Sequence, residues 1–162
     1  MGIVVPHVNS KEEAEKAAGS AKYAPVGFRG MFGGRQSFGV GDYFHQANGQ
    51  TMMIVLLEEA GALRNLDEIL KVDHIDVFFV APSDLAQTMG HIGNPGHPEV
   101  QNAIDDAISR IVSAGRVAGT LVNDENVARY LEQGVRFTMT SWNAWVARGV
   151  ASFLERVRGT GI

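Results

Sequence analysis

The stretch VFFVAPSDLAQTMG, residues 77–90, contains the pattern that decides the fold. Its apolar run from Val77 to Ala81 predicts a strand buried on both faces, and Pro82-Ser83-Asp84 then interrupts that strand. Similar apolar runs recur along the chain, and helical periodicity follows each of them. The five runs are residues 3–8, 51–57, 75–80, 117–122 and 135–140. Five strands alternating with five helices predict an α/β fold with a parallel sheet and right-handed crossovers.

Composition is typical of a soluble globular protein. The chain has 162 residues, of which 45% are hydrophobic and 20% charged, and we take residues 1–162 as a single domain. A net charge of −4 and the absence of basic runs argue against nucleic acid or an anionic membrane as the main partner. No apolar stretch approaches the roughly 18 residues of a membrane-spanning helix. The chain has no cysteine, which fits the cytoplasm, our expected location.

Local signals mark the helices and one unusual segment. Ser10 and Glu13 form a predicted capping box at the start of the first helix. Asp124 is predicted to begin a later helix and Ser141 to cap the last one. Residues 24–50 contain seven glycines and little periodicity, which predicts a long irregular segment of functional interest. Within it, the loop around Arg29 and Gly30 has the features of an anion site, with a mobile surface loop as the alternative.

In parallel α/β sheets, functional residues collect at the carboxyl ends of the strands. Glu58 and Asp84 follow two consecutive strands, so their carboxylates should emerge on one edge of the sheet. Two close carboxylates repel unless a cation or a proton lies between them, and Mg²⁺ is typically held by one or two carboxylates. The alternative is that both acids merely start helices, where they favour the helix dipole. The remaining strand-end polar residues are His7, Asn123 and Ser141.

Other candidates carry simpler alternatives. His7 could act as a base or ligand, but a packed, hydrogen-bonded histidine is the more common case at such a position. His91 and His97 are predicted to lie too far apart to form a metal pair on their own. The last helix carries one broad apolar stripe, which predicts either a packed helix face or a partner surface. Its members are Trp142, Trp145, Val146, Gly149, Val150, Phe153, Leu154 and Val157.

Several longer motifs resemble the HpcH/HpaI aldolases in the expected order. They are IVVPHVNSKEEAEKA (3–17), YAPVGFRGMFGG (23–34), IVLLEEAGALRNLDEIL (54–70), IDVFFVAPSDLAQTMGHIGNPGHPEV (75–100) and GTLVNDENVARYLEQGVRFTMTSW (119–142). The resemblance implies a (β/α)8 TIM-barrel-type fold, here truncated to about five βα units. Three strands that would precede residue 1 in the family, with its catalytic arginine and histidine, have no match in this chain. The expectation is therefore a partial barrel with exposed sheet edges, which predicts a homo-oligomer.

The resemblance also implies a site. The family's metal-binding glutamate falls on Glu58 and its metal-binding aspartate on Asp84. Backbone N–H groups at Ala81 and Ser83 would hold the carboxylate of pyruvate, and Arg29 with Gly30 would border the pocket. The catalytic acid and base remain unknown.

The implied activity is that of a class II aldolase. A divalent metal (Mg²⁺, Mn²⁺ or Co²⁺) would support reversible carbon–carbon cleavage of 4-hydroxy-2-oxo acids through a metal-stabilised pyruvate enolate. A non-catalytic 2-oxo-acid-binding or assembly protein on the same scaffold is an alternative. An oxaloacetate decarboxylase, which needs the same metal and enolate, is another.

Overall fold

The computed structural model describes residues 1–32 and 34–159, and the predicted five-stranded parallel sheet is confirmed. The strands lie in chain order, each paired with the next. They are β1 (Gly2–Val5), β2 (Met52–Leu57), β3 (Val77–Val80), β4 (Ala118–Leu121) and β5 (Phe137–Met139). Each is shorter than its apolar run, because the run continues into buried loop residues such as Val8. Gly33, which belongs to the second family-like motif, and residues 160–162 of the proposed domain lie outside the described residues.

Eight α-helices connect or follow the strands within the described part of the chain. They are α1 (Lys11–Ala21), α2 (Tyr43–Gln50), α3 (Ala60–Arg64), α4 (Leu66–Ile69), α5 (Pro82–Thr88), α6 (Pro98–Ser113), α7 (Val127–Glu132) and α8 (Asn143–Gly159). The Ser10 cap is confirmed, since Ser10 accepts from the Glu13 N–H at 3.2 Å. Glu13 reaches back as predicted but accepts from the Asn9 N–H at 2.7 Å, one residue before the cap.

Three details of the predicted helices are wrong. Residues 24–50 are not irregular throughout, because they contain α2 and a 3₁₀ turn at Gly34–Ser37. Asp124 does not begin α7; the Asn123 side chain accepts from the backbone of the following residues and forms a turn, so that the helix starts only after Asn126. Likewise α8 begins at Asn143, after Ser141.

The sheet buries a core on each of its faces. The larger core lies between the sheet and helices α1, α4, α6 and α7, with Phe78, Ile104 and Tyr130 among its fully buried side chains. The smaller core on the opposite face contains Phe79, whose ring is 6.2 Å from that of Phe137. Gly119 makes this packing possible, because a Cβ atom there would lie 2.8 Å from the Phe79 ring. The nearly continuous apolar sequence of β3 therefore reflects burial on both sides.

The ends of the sheet and the last helix are exposed. Val4 in β1 is 54% exposed and Met139 in β5 is 49% exposed. No residue of α8 is buried, and its stripe keeps Trp142 at 66% and Phe153 at 64% exposure. The described sheet is thus an open segment of a barrel whose edge strands are unpaired on one side. No helix within the described ranges is long and apolar enough to cross a membrane.

Candidate active site

Glu58 and Asp84 lie at the same edge of the sheet, as the sequence predicts. β2 and β3 pair in parallel with Leu57 opposite Val80, so Glu58 leaves its strand beside the point where β3 ends. The Ala81 N–H donates to the Leu57 carbonyl at 3.2 Å and extends the pairing by one residue. Asp84 follows in the first turn of α5.

Glu58 is held in place by the loop after β1. The side chain is buried, at 4% exposure, and its Oε1 accepts the His7 N–H at 2.8 Å. His7 adopts a left-handed backbone conformation (φ 56°), which places its N–H toward the neighbouring strand end. This hydrogen bond fixes one carboxylate oxygen of Glu58 and leaves the second one available to a ligand.

The His7 ring is hydrogen-bonded but not packed. Its Nδ1 lies 3.0 Å from Glu59 Oε1 and 3.4 Å from Glu58 Oε1, while the side chain remains 66% exposed. Hydrogen bonds from Asn9 and then from His7 lower the pKa of Glu59. The edge therefore presents Glu59 as an anion beside the buried Glu58.

Asp84 does not cap its helix. It is the third residue of α5, its side chain makes no cap hydrogen bond, and the N-cap position is Ala81. The residue is exposed, and within the described ranges no hydrogen bond or ion pair is found for it. Of the helix-start alternative, only the dipole part applies to Asp84: its negative charge lies near the amino end of α5, where the helix dipole favours an anion.

The two carboxylates suit a hard divalent cation. Glu58 is buried without a lysine or arginine partner among the described residues, and the His7 ring lies 3.4 Å from its Oε1. Carboxylate oxygens are the ligands that Mg²⁺ and Mn²⁺ favour in proteins. The residues present at this edge therefore fit the metal that the resemblance implies.

The backbone of the 81–84 turn offers one of the two predicted N–H groups. The Ala81 N–H is already used by the Leu57 carbonyl, so it does not serve a ligand in this structure. The Ser83 N–H lies in the first turn of α5, where no intrahelical carbonyl can accept it. Ser83 also lines a cavity of about 360 Å³ at this edge, together with Asn123 from the end of β4. Ser141 is exposed beyond the end of β5.

Arg29 and Gly30 lie elsewhere, which corrects the prediction that they border this pocket. The Arg29 guanidinium lies 4.6 Å from the centre of the Tyr23 ring, and the residue shares a cavity with Met1 and Thr51. Those two residues directly precede β1 and β2, at the opposite edge of the sheet. The physical reason is that α1 runs back to the amino ends of the strands, and the chain stays there until β2 begins.

The prediction that His91 and His97 are far apart is also wrong. Their rings stack with centroids 3.6 Å apart and planes 14° from parallel. In the loop between them, Gly93 adopts a left-handed conformation (φ 73°), which glycine permits at no steric cost. The glycine at this position is the available sequence signal for a tight loop.

Comparison with known proteins shows the family of this chain. The model of the HpcH/HpaI aldolase/citrate lyase family matches residues 1–146. A 4-hydroxy-2-oxo-heptane-1,7-dioate aldolase of Klebsiella pneumoniae is 42% identical over 95% of this chain and 60% of its own length. A hydroxypyruvate/pyruvate aldolase of Pseudomonas aeruginosa is 44% identical over 83% of this chain and 52% of its own length. The chain thus spans between about half and three fifths of these curated relatives.

A solved structure supports the same relationship. A family protein from Burkholderia cenocepacia superposes with a TM-score of 0.88 at 30% identity, covering 97% of this chain and 65% of that one. The family match covers most of the sequence, and the sheet reproduces part of the barrel found in that relative. This chain belongs to the HpcH/HpaI aldolase/citrate lyase family.

Proposed function

We propose that this chain provides the metal-binding edge of a class II aldolase that cleaves 4-hydroxy-2-oxo acids reversibly to pyruvate and an aldehyde. The observation that carries the proposal is the placement of Glu58 and Asp84 on adjacent strand ends, with Glu58 buried and without a lysine or arginine partner in the described ranges. Two relatives of more than 40% identity are named as aldolases, one for a 4-hydroxy-2-oxo acid and one for pyruvate.

Each residue has a defined part in this proposal. Glu58 and Asp84 would hold a divalent ion, and the His7 N–H would orient the carboxylate of Glu58. When bound, such an ion supplies Lewis-acid polarisation of a carbonyl group. The Ser83 N–H would donate a hydrogen bond to one oxygen of the substrate carboxylate, at a first-turn position that favours anions.

Association of chains is part of the proposal. Apolar side chains are exposed along β1, along β5 and along the stripe of α8. Unpaired sheet edges and contiguous exposed apolar patches are typical of surfaces that bind another chain. We propose a homo-oligomer in which these surfaces are covered. Light scattering should give a mass above that of one chain, and a charge placed in the stripe by Phe153→Asp should reduce that mass. A monodisperse monomer in the unaltered protein would contradict it.

The activity is tested by pyruvate release. The purified protein is given a 4-hydroxy-2-oxo acid or oxaloacetate, with Mg²⁺ or with EDTA. Turnover of the first substrate that EDTA and Asp84→Asn both abolish supports the aldolase. Asp73→Asn is the matched control, because Asp73 is equally exposed but precedes β3 at the opposite edge.

The same assay separates the alternatives. Turnover of oxaloacetate alone supports the decarboxylase, which requires the same two carboxylates. No turnover, combined with Mg²⁺-dependent binding of pyruvate in calorimetry, supports a 2-oxo-acid-binding protein, which the open sheet edges would favour. If the protein shows no turnover and no Mg²⁺-dependent binding of pyruvate, the proposed site itself is overturned.

A further inference from the structure

A second group of metal-ligating side chains lies where the loop after α5 meets the start of α6. His91, His97 and Glu99 each place one ligand atom within 4.8 Å of the others. His91 Nε2 is 2.9 Å from Glu99 Oε2, and the Glu99 N–H points at His97 Nδ1 at 3.3 Å. Within the described residues, no hydrogen bond or ion pair connects this group to Glu58 or Asp84.

The backbone around the group is fixed by the fold rather than by the side chains themselves. The His91 N–H donates to the Ala86 carbonyl at 2.7 Å, and the His97 N–H donates to the Asn94 carbonyl at 3.1 Å. The Gln101 side chain donates to the Pro95 carbonyl at 2.8 Å and ties the loop to α6. These hydrogen bonds already fix the loop between α5 and α6. Ordering the three ligand side chains around an ion therefore costs little additional loop entropy.

Ordinary helix capping by His97 explains only part of the arrangement. His97 is the N-cap of α6 and its ring accepts the Glu99 N–H, which is an ordinary capping contact. Capping does not require the His91 ring stacked on that of His97, nor the hydrogen bond between His91 and the Glu99 carboxylate.

The residue types select the kind of ion. Two imidazoles and one carboxylate form a set that favours Zn²⁺ and neighbouring transition metals, whereas Mg²⁺ prefers oxygen ligands alone. Ligands of a tetrahedral Zn²⁺ at about 2.1 Å lie roughly 3.4 Å apart. The ligand atoms lie within 4.8 Å of one another, so a pair must close by about 1.4 Å at most, while the 2.9 Å His91–Glu99 pair must open by about 0.5 Å. The stacked rings must also tilt, because their lone pairs lie in the ring planes. His91 is 23% exposed and Glu99 is 70% exposed, so both have room to move.

We propose that His91, His97 and Glu99 form a Zn²⁺-type transition-metal site, separate from the Glu58–Asp84 edge, that ties the loop after α5 to the first turn of α6. The ion takes the place of the His91–Glu99 hydrogen bond and of the long 3.3 Å capping contact, and water completes the coordination. The Glu99 N–H then faces solvent, as other first-turn amides do.

The test measures Zn²⁺ affinity and stoichiometry by competition with a chromophoric chelator. The unaltered protein should bind one Zn²⁺ at this site. His91→Phe keeps a stacked ring without nitrogen, and His97→Asn keeps a good N-cap without an imidazole. Loss of a partner that merely orients a ligand weakens metal binding about 10–100-fold, so loss of a ligand should weaken it at least about tenfold.

Controls separate this site from the other one. The double variant Glu58→Gln/Asp84→Asn should retain the Zn²⁺ site, and so should His45→Asn, whose imidazole is 88% exposed at the other end of the sheet. Circular dichroism and urea unfolding show whether each variant is folded. Unchanged Zn²⁺ affinity in folded His91→Phe and His97→Asn would overturn the proposal. So would Zn²⁺ binding that disappears only in the Glu58/Asp84 double variant.

Discussion

Replacing Glu58 by glutamine tests the candidate metal site without disturbing its shape. Glutamine has the same length, and its side-chain oxygen can still accept the His7 N–H, which now lies 2.8 Å from Glu58 Oε1. The substitution removes the negative charge and replaces the other oxygen by an NH₂ group, in a residue that is 4% exposed. Its effect on stability should therefore be small in EDTA and larger when a metal is present.

The expected changes in the free energy of unfolding follow from that one hydrogen bond and from the linkage between metal binding and folding. A hydrogen bond to a charged group contributes about 1.5–3 kcal/mol and one between neutral groups about 0.5–1.5 kcal/mol, so Glu58→Gln should cost about 1 kcal/mol in EDTA. If Mn²⁺ affinity falls tenfold, saturating Mn²⁺ adds about 1.4 kcal/mol to the difference between the two proteins. The free energy of unfolding should thus fall by roughly 2–3 kcal/mol in Mn²⁺.

Urea unfolding, with EDTA or with saturating Mn²⁺, measures both quantities. Glu59→Gln is the matched control, because Glu59 is the next residue, its side chain is 34% exposed and it bonds to the His7 ring at 3.0 Å. In that control, Mn²⁺ should stabilise as much as in the unaltered protein. The reasoning is refuted if Mn²⁺ stabilises Glu58→Gln fully, or if Glu59→Gln loses the effect instead.

Three further predictions concern other parts of the chain. Gly119→Ala should lower the free energy of unfolding by about 1–3 kcal/mol, because its Cβ would lie 2.8 Å from the buried Phe79 ring; Gly30→Ala, where a Cβ meets nothing within 4 Å, should change urea unfolding little. Arg29→Ala should leave the affinity for Mn²⁺, measured by calorimetry, unchanged, because Arg29 lies at the amino ends of the strands. A weakened affinity would contradict this placement of Arg29 away from the metal site. Burial raises the pKa of Tyr130, so the unfolded chain loses this proton first. The stabilisation by the neutral phenol is complete below about pH 10 and is lost as pH rises through the folded-state pKa. In urea unfolding from about pH 9 to 11, Tyr130→Phe should not show this fall in the free energy of unfolding. An identical pH dependence in both proteins would contradict the role assigned to Tyr130.

The sheet and the edge that holds Glu58 and Asp84 could be predicted from the sequence. Strands such as Val77–Val80 are buried on both faces, so their apolar runs are nearly unbroken and easy to find. Parallel pairing of consecutive strands then places Glu58 and the 81–84 turn side by side, whatever the loops do. Site residues carried by strand ends are predictable because the sheet alone positions them.

Residues on loops were positioned by turns that the periodicity does not encode. His91 and His97 meet across a short loop in which Gly93 adopts a left-handed conformation, and the path of this loop depends on backbone angles rather than on hydrophobic pattern. α2 was missed because only Ala47 on it is buried, so the helix has almost no apolar face to detect. The Ala81 N–H was assigned to a ligand because the sequence does not show that pairing with β2 continues one residue past β3.

The most direct test of the metal site is anomalous diffraction from crystals of the protein grown with Mn²⁺. The account predicts an anomalous peak that contacts carboxylate oxygens of both Glu58 and Asp84 at the carboxyl edge of the sheet. Pyruvate added to the same crystals should appear beside that peak, with its carboxylate at the Ser83 N–H. Well-ordered density for both side chains with no Mn²⁺ between them, at a concentration that saturates the protein in solution, would contradict the account.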